Sequence, residues 1–166
     1  MDKVAIYDIG IKVLNLVMIP ISIINNALYP KMSIEKNKNL LKKIMNYSFI
    51  FYLIICILIQ PFVPFIINFF ADGMENAILP TRILLIAPII FCLGLPLAHN
   101  GLVVFSKYKS LLIGMLLTTI FYLICILLGS YLGLLSEVSN FAIITVLVYL
   151  FEYFYRYIAC KKFNII

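Results

Sequence analysis

Five long apolar stretches, separated by short polar segments, dominate this sequence. They cover residues 9–29, 47–71, 83–105, 111–135 and 141–160. A helix of about 20 apolar residues, rising about 1.5 Å per residue, crosses the roughly 30 Å of hydrocarbon in a bilayer. Each stretch is long enough for one crossing. The sequence therefore predicts an all-α, polytopic membrane helix bundle with about five transmembrane helices.

The composition leaves little room for anything outside the membrane. Of the 166 residues, 64% are hydrophobic and 12% are charged, and the mean hydropathy is +1.11. Soluble domains are only about 45–50% apolar. A water-soluble fold is therefore excluded, and residues 1–166 are expected to form one transmembrane bundle with short loops and tails.

The basic residues are distributed unevenly between the two sides of the predicted bundle. Ten of the 13 Lys and Arg residues fall in segments on one side, which are Lys31, Lys36, Lys38, Lys42, Lys43, Lys107, Lys109, Arg156, Lys161 and Lys162. The other side holds Lys3, Lys12 and Arg82, with the loop acids Asp72, Glu75 and Glu137. The positive-inside rule then places the C-terminus in the cytoplasm and the N-terminus outside. Because these charges form no single amphipathic face, no nucleic-acid partner is predicted.

This topology is unusual for a complete small protein. A chain with five spans that starts outside must translocate its own N-terminus without an upstream helix. We therefore expect the chain to be a fragment of a larger protein.

Several features within the spans predict local structure. Pro61 and Pro64 in the second stretch, and Pro88 and Pro96 in the third, each remove a helix hydrogen bond and predict kinks. Such kinks serve either a transport cavity or helix packing. The GxxxG spacing of two glycines in the fourth stretch offers a face where another helix can approach, although this spacing is frequent by chance. Aromatic residues near the basic end of the fifth stretch are typical of an interfacial belt. The two glycines are Gly129 and Gly133, and the aromatic residues are Tyr149, Phe151, Tyr153, Phe154, Tyr155 and Tyr157.

Ionisable and polar groups within spans are candidates for function because they are costly in lipid. Asp8 with Lys12, and Glu152 with Arg156, have the i,i+4 spacing of ion pairs. His99, the single histidine, precedes Asn100, and its imidazole either titrates near neutral pH or bonds to a neighbouring carbonyl. Other polar residues either line a hydrophilic path or bridge helices. They are Asn15, Asn25, Asn26, Gln60, Thr118 and Thr119.

Enzyme chemistry has no support in the sequence. There is no HExxH, no GxSxG, no pair of carboxylates within one span and no glycine-rich phosphate loop. The four cysteines are single, without CxxC spacing, which predicts packing or lipid-facing roles. No catalytic residue, metal site or cofactor is predicted.

Three short motifs, in order along the chain, resemble polysaccharide flippases. They are residues 7–13 (YDIGIKV), residues 28–33 (LYPKMS), which would end the first span, and residues 80–84 (PTRIL), which would open the third. The family is the O-antigen and capsular-repeat exporters of the multidrug/oligosaccharidyl-lipid/polysaccharide superfamily. In this chain Gly10 stands where the family has alanine, and Thr81 where it has leucine.

The resemblance implies a function and a set of partners. Members have twelve to fourteen helices in two lobes, and this chain is similar only to their C-terminal part, so it would be a partial second lobe. It implies movement of undecaprenyl-pyrophosphate-linked oligosaccharide across the bacterial inner membrane, with membrane lipids and a missing N-terminal lobe as partners. Positive charge and hydrogen bonds for the head group would come from Lys12, Asn15, Arg82, His99 and Asn100. The alternatives are a non-transporting membrane scaffold that packs through its glycines, or a segment of a related drug or lipid II exporter.

Overall fold

The computed structural model describes residues 3–71 and 73–166, so Asp72 lies outside the described residues. All regular structure in these two ranges is helical, and neither contains a strand. The α-helices are α1 (Lys3–Glu35), α2 (Lys38–Ile59), α3 (Val63–Phe70), α4 (Ile78–Leu84), α5 (Ala87–Pro96), α6 (Tyr108–Tyr131) and α7 (Val138–Lys162). Short 3₁₀ turns and one π-helical segment join some of them into longer rods.

Five of these rods are long and apolar enough to cross a membrane. They are Lys3–Glu35, Lys38–Phe70, Glu75–Val103, Tyr108–Tyr131 and Val138–Lys162. The prediction of an all-α, polytopic bundle is therefore confirmed, and the chain is a multi-pass membrane protein.

The four prolines for which kinks are predicted lie in or beside breaks in the second and third rods. Pro61 lies in the 3₁₀ turn Gln60–Phe62, and Pro64 lies in the first turn of α3. Pro88 lies in the first turn of α5, where a missing N–H costs no helix hydrogen bond. Pro96 ends α5, and the chain continues as the π-helical segment Leu97–Val103. The prolines thus divide two rods into short helices rather than bending one continuous helix.

The first helix continues beyond the predicted end of its span. α1 passes Pro30 and ends only at Glu35. Met32, in the extra turn, is fully buried in a cluster with Leu41, Leu97 and other residues. Burying a side chain of this size contributes roughly 1.5–3 kcal/mol, comparable to the cost of about 3 kcal/mol for an internal proline. Packing therefore holds the helix together where the local sequence predicts its end.

The fourth helix ends before its predicted end. α6 stops at Tyr131, and Gly133 follows with a φ of 68°. The N–H of Gly133 donates to the carbonyl of Ser130 at 3.1 Å, and a left-handed glycine of this kind commonly terminates a helix. Gly129 and Gly133 therefore do not share a helix face, and the predicted GxxxG packing face is wrong.

The third rod lies at the centre of the bundle. α5 contacts α1, α2 and α7, and its buried residues include Cys92 and Gly94. α6 is peripheral, because it contacts mainly α7, and among its residues only Gly114 and Gly129 are buried. Of the two predicted cysteine roles, packing is the one found for Cys56, Cys92 and Cys160, which are buried as free thiols.

Two of the aromatic side chains predicted to form a belt on α7 make contacts with α6. Phe151 stacks on Phe121 of α6 with ring centroids 4.5 Å apart. The hydroxyl of Tyr155 donates to the carbonyl of Ser110 at 3.0 Å, and its ring lies against Gly114. These two residues join α6 to α7.

The three basic connections meet at one end of the bundle. One buried cluster there contains Met32 of α1, Leu41 of α2, Leu102 of the third rod and Ile165 beyond α7. Across the same end, Lys38 donates to the carbonyl of Asn164. We call this part of the molecule the basic end. The basic segments that the sequence assigns to one side therefore lie together at one end of the folded bundle.

Candidate functional site

α1 carries a row of polar side chains on one side. Asp8, Lys12, Asn15, Ser22 and Asn26 follow one another at spacings of four, three, seven and four residues, which places them on one helix face. All are exposed except Ser22, which is half-buried, and the exposed apolar residues Leu16, Ile19 and Ile23 lie among them on the same face. We call this row the polar face of α1. The other side of the helix is apolar and buried, and it includes Ile6, Ile9, Val13, Leu14, Met18 and Ile21.

The polar face is poorly satisfied within the chain. Lys12 pairs with Asp8 at 2.7 Å, and the two side chains are 61% and 54% exposed. Ser22 donates back to the carbonyl of Met18, whereas Asn15 and Asn26 make no hydrogen bond to any described residue. An amide moved from water to an apolar medium without a partner costs about 1–3 kcal/mol in protein measurements. The polar face is therefore suited to water or to a polar partner rather than to lipid chains.

Pro20 lies inside α1 near its middle, and a side chain from α2 bonds to the backbone beside it. Proline has no N–H, and its ring pushes against the preceding turn of the helix. The hydroxyl of Tyr52 accepts from the N–H of Ile21 at 2.9 Å and donates to the carbonyl of Val17 at 3.0 Å. Tyr52 is fully buried. A single hydroxyl thus bonds to a backbone donor and acceptor that lie one helical turn apart beside the proline.

A second polar contact joins α1 to the π-helical segment. The side-chain amide of Asn100 donates to Asn25 Oδ1 at 2.5 Å, and both residues are buried. Asn25 Nδ2 and Asn100 Oδ1 have no further hydrogen bond in the described structure. π-helical turns within α-helices often occur at functional positions. This pair therefore marks the break in the third rod as a polar position inside an otherwise apolar core.

A buried ion pair on α7 contacts the third rod just before the same break. Glu152 and Arg156 form the predicted i,i+4 pair, with side chains only 20% and 10% exposed. Arg156 Nη1 also donates to the carbonyl of Gly94 at 3.2 Å. A Cβ added at Gly94 would lie 3.6 Å from that same Nη1 atom, an ordinary van der Waals distance, so α7 packs here against the backbone of the third rod. Both partners are satisfied, which indicates a structural clamp on the third rod.

The five predicted binding residues fall into two groups rather than one cluster. Lys12 and Asn15 lie on the polar face of α1, and Arg82 is exposed on α4, which packs against the same half of α1. His99 and Asn100 lie in the π-helical segment, with His99 exposed and Asn100 buried. Asn100 contacts Asn25, about 13 residues and therefore roughly 20 Å along α1 from Lys12. One small head group cannot contact both groups at once.

The first and third sequence motifs meet in the fold. A Cβ at Gly10 would lie 2.9 Å from Leu84 Cδ1 and 3.1 Å from Thr81 Oγ1. Both departures from the family pattern, Gly10 and Thr81, therefore occur in one contact between α1 and α4. Tyr7, from the first motif, bonds to Thr145 of α7 at 2.7 Å through the two hydroxyls. These motif residues position α1 within the bundle.

Some functional contacts were not predicted from the sequence. The interhelical roles of Tyr52 and Gly94 had no signal beyond the nearby prolines, and the pairing of Asn25 with Asn100 joins residues 75 positions apart. Residues 3–71 and 73–166 contain no group of three or more His, Cys, Asp or Glu side chains suited to a metal ion. No protein-family model, curated protein or solved structure matches this chain.

Proposed function

We propose that this chain is part of a membrane exporter in which the polar face of α1 borders the substrate path. The observation that carries the proposal is a transmembrane helix with apolar residues turned into the bundle and unpaired amides turned outward. Discontinuous helices, such as the second and third rods, are common where transporters bind substrate. The class of function is therefore transport rather than catalysis.

The substrate we propose is an undecaprenyl-pyrophosphate-linked oligosaccharide repeat unit, moved across the bacterial inner membrane. This choice is supported by the three flippase-like motifs, two of which meet at Gly10, Thr81 and Leu84. The positive-inside rule supports a cytoplasmic location for the basic end. A sugar head group offers many hydroxyls, and these can bond to amides such as Asn15 and Asn26 in place of water.

Lys12 is the residue that we propose to bind the pyrophosphate. Its ion pair with Asp8 is exposed, and exposed pairs are worth only about 0–1 kcal/mol. An incoming pyrophosphate can therefore displace Asp8 at little cost. Arg82 lies on the neighbouring α4 and is a second cation for the same region. Asn100 is buried against Asn25, so in this proposal it supports the helix break rather than contacting substrate.

A second bundle must close the path on the side of the polar face. Alternating access requires two lobes that rock against each other, and an N-terminal lobe is the proposed partner. We expect the 166 residues alone, reconstituted in liposomes, to leave labelled lipid-linked sugar in its original leaflet. Translocation by the isolated chain would contradict this two-lobe arrangement.

Two alternatives differ in what they predict. The scaffold hypothesis depended on Gly129 and Gly133, and these residues do not share a helix. A drug or lipid II exporter would use the same polar face for a different cargo. If a Lys12 substitution lowers drug tolerance but leaves surface polysaccharide unchanged, the drug exporter is favoured.

Cysteine accessibility tests whether the polar face meets water. After half-buried Cys125 is replaced by Ala, cysteine is placed at Asn15 or Asn26, and for comparison at Leu116 or Ile120 on the peripheral helix α6. Leu116 and Ile120 are 56% and 53% exposed, so burial cannot explain a difference. A membrane-impermeant maleimide should label only the first two, in intact cells or in inside-out vesicles. Equal labelling of both pairs, or labelling of neither, would remove the aqueous path from the proposal.

A matched pair of lysines tests the binding role. Lys12→Ala should lower the amount of surface polysaccharide in the producing strain while membrane insertion is unchanged. Lys31→Ala is the control, because Lys31 also lies on α1, pairs with an acid at i,i+4 and has a 57% exposed side chain. Polysaccharide is measured by immunoblotting and insertion by membrane fractionation. Unchanged export in Lys12→Ala would remove Lys12 from the site.

A further inference from the structure

A groove runs between the first turns of α6 and the last turns of α7, at the basic end. Its volume is about 390 Å³. Its inner part, meaning the part farther from the basic end along the two helices, is lined by Ile113, Tyr155, Ile158 and Ala159. The hydroxyl of Tyr155 is already bonded to Ser110, so the inner surface offers almost no free polar group. An apolar channel of this kind, open along a membrane-facing helix pair, is suited to a hydrocarbon chain.

The outer part of the groove is basic. Lys109 and Lys162, from the two different helices, lie at its mouth. A neighbouring depression of similar size, lined by Ser106, Lys107 and Tyr108, shares Lys109, Ser110 and Phe163 with it. The two depressions are therefore one continuous surface, apolar at its inner part and lined by three lysines at its mouth.

The lysines at the mouth have no acidic partner among residues 3–71 and 73–166. The ion pairs in the described structure are Asp8 with Lys12, Lys31 with Glu35, and Glu152 with Arg156, and none involves Lys107, Lys109 or Lys162. The ammonium of Lys107 lies 4.7 Å from the centre of the Phe163 ring, which holds its charge at the mouth. α6 also begins there without a side-chain cap, and the positive end of a helix dipole adds to the field.

We propose that this groove binds one anionic phospholipid of the adjacent leaflet. Its phosphate would lie among Lys107, Lys109 and Lys162, and one acyl chain would follow the apolar lining past Ile113 and Ile158. The charge complementarity selects the occupant, because basic pockets between transmembrane helices on the cytoplasmic side bind anionic head groups. A zwitterionic lipid would fill the apolar part equally well but would leave the three lysines without a net opposite charge. The site is independent of whether the chain transports anything.

Lipid binding to the purified full chain in detergent tests this proposal. Spin-labelled or fluorescent phosphatidylglycerol is titrated against the protein, and phosphatidylcholine with the same acyl chains serves as the comparison. Replacing Lys107, Lys109 and Lys162 together by Gln should weaken phosphatidylglycerol binding by about tenfold or more, since each lysine near a membrane surface attracts anionic lipid appreciably. Replacing Lys36, Lys42 and Lys43 by Gln removes the same charge from the same end and should have a much smaller effect.

A second variant tests the acyl chain without changing charge. Ile113→Trp fills the apolar channel and should weaken phosphatidylglycerol binding even though all lysines remain, which keeps the test valid if the triple variant does not fold. Equal weakening by the two lysine triples would show a general surface attraction and overturn the site. Equal affinity for the two lipids, or unchanged binding by Ile113→Trp, would overturn it as well.

Discussion

The hydroxyl of Tyr52 provides a sharp test of how this bundle tolerates a proline in its first helix. Tyr52→Phe removes one oxygen and leaves the ring, so packing is almost unchanged. The lost atom bonds to the N–H of Ile21 and the carbonyl of Val17 in a fully buried position. The change therefore isolates the polar contact beside Pro20.

The expected loss of stability in Tyr52→Phe follows from the number of backbone groups left without a hydrogen-bond partner. A buried donor or acceptor without a partner costs about 1–3 kcal/mol, whereas polar contacts in a membrane protein average about 0.6 kcal/mol in double-mutant cycles. Ile21 and Val17 lie one helical turn apart and can partly bond to each other after relaxation. We therefore expect Tyr52→Phe to destabilise the protein by about 1 kcal/mol, or a shift of roughly 2–4 °C in Tm for a chain of this size.

Thermal unfolding in detergent can be followed with a thiol-reactive fluorogenic dye, since Cys56, Cys92 and Cys160 are buried and become reactive only on unfolding. Tyr47→Phe is the matched control on the same helix, because Tyr47 is 72% exposed. Tyr47→Phe should leave Tm equal, within error, to that of the original chain.

A double-mutant cycle then separates the proline contact from a general loss of stability. Pro20→Ala restores the missing N–H and lets the preceding turn close, so the hydroxyl of Tyr52 becomes redundant. In that background Tyr52→Phe should cost less, with a coupling of at least about 0.5 kcal/mol between the two positions. An identical loss of stability from Tyr52→Phe in the original chain and in Pro20→Ala would refute the reasoning, because the hydroxyl would then not compensate for the effect of the proline.

Two further contacts lead to predictions that the same unfolding assay can check. A Cβ at Gly114 would lie 2.5 Å from the Tyr155 ring, so Gly114→Ala should destabilise the protein by about 1–3 kcal/mol. Gly133→Ala should cost less, about 1 kcal/mol, because the new Cβ meets open space and only the positive φ of this residue is unfavourable. The reverse order would mean that α6 is not held by Tyr155. Glu152→Leu should cost about 3 kcal/mol because it leaves the charge of Arg156 buried without its counter-ion, and adding Arg156→Met should recover most of that loss. A double variant as unstable as Glu152→Leu alone would show that the charge is not the cause.

Features that depend on local sequence were predicted well. Helix number follows from the length of each apolar run, and the pairs Asp8 with Lys12 and Glu152 with Arg156 follow from their spacing on one helix. The interruptions in the second and third rods follow from proline chemistry. In each case the information lies within a few residues of the feature itself.

Features that depend on distant residues were not predicted. Pro30 marks a helix end in the sequence, but burial of Met32 against other helices keeps α1 intact. Gly133 has the spacing of a packing motif, although its positive φ terminates α6. The partner of Asn25 could not be identified from the sequence, because several polar residues in other spans were equally available. Only the packing of the third rod against α1 selects Asn100.

Two of the polar contacts of α1, those of Tyr52 and Asn100, become possible at different times during synthesis. Tyr52 follows Ile21 by 31 residues and lies on the next rod, so a nascent pair of the first two helices already contains both partners. Asn100 follows Asn25 by 75 residues, which at about 5–20 residues per second means roughly 4–15 s of translation before the second contact can form. During that interval Asn25 has no side-chain partner in the part of the chain already made that the structure describes. The contact between the first helix and the third rod is therefore completed only after the third rod has been made.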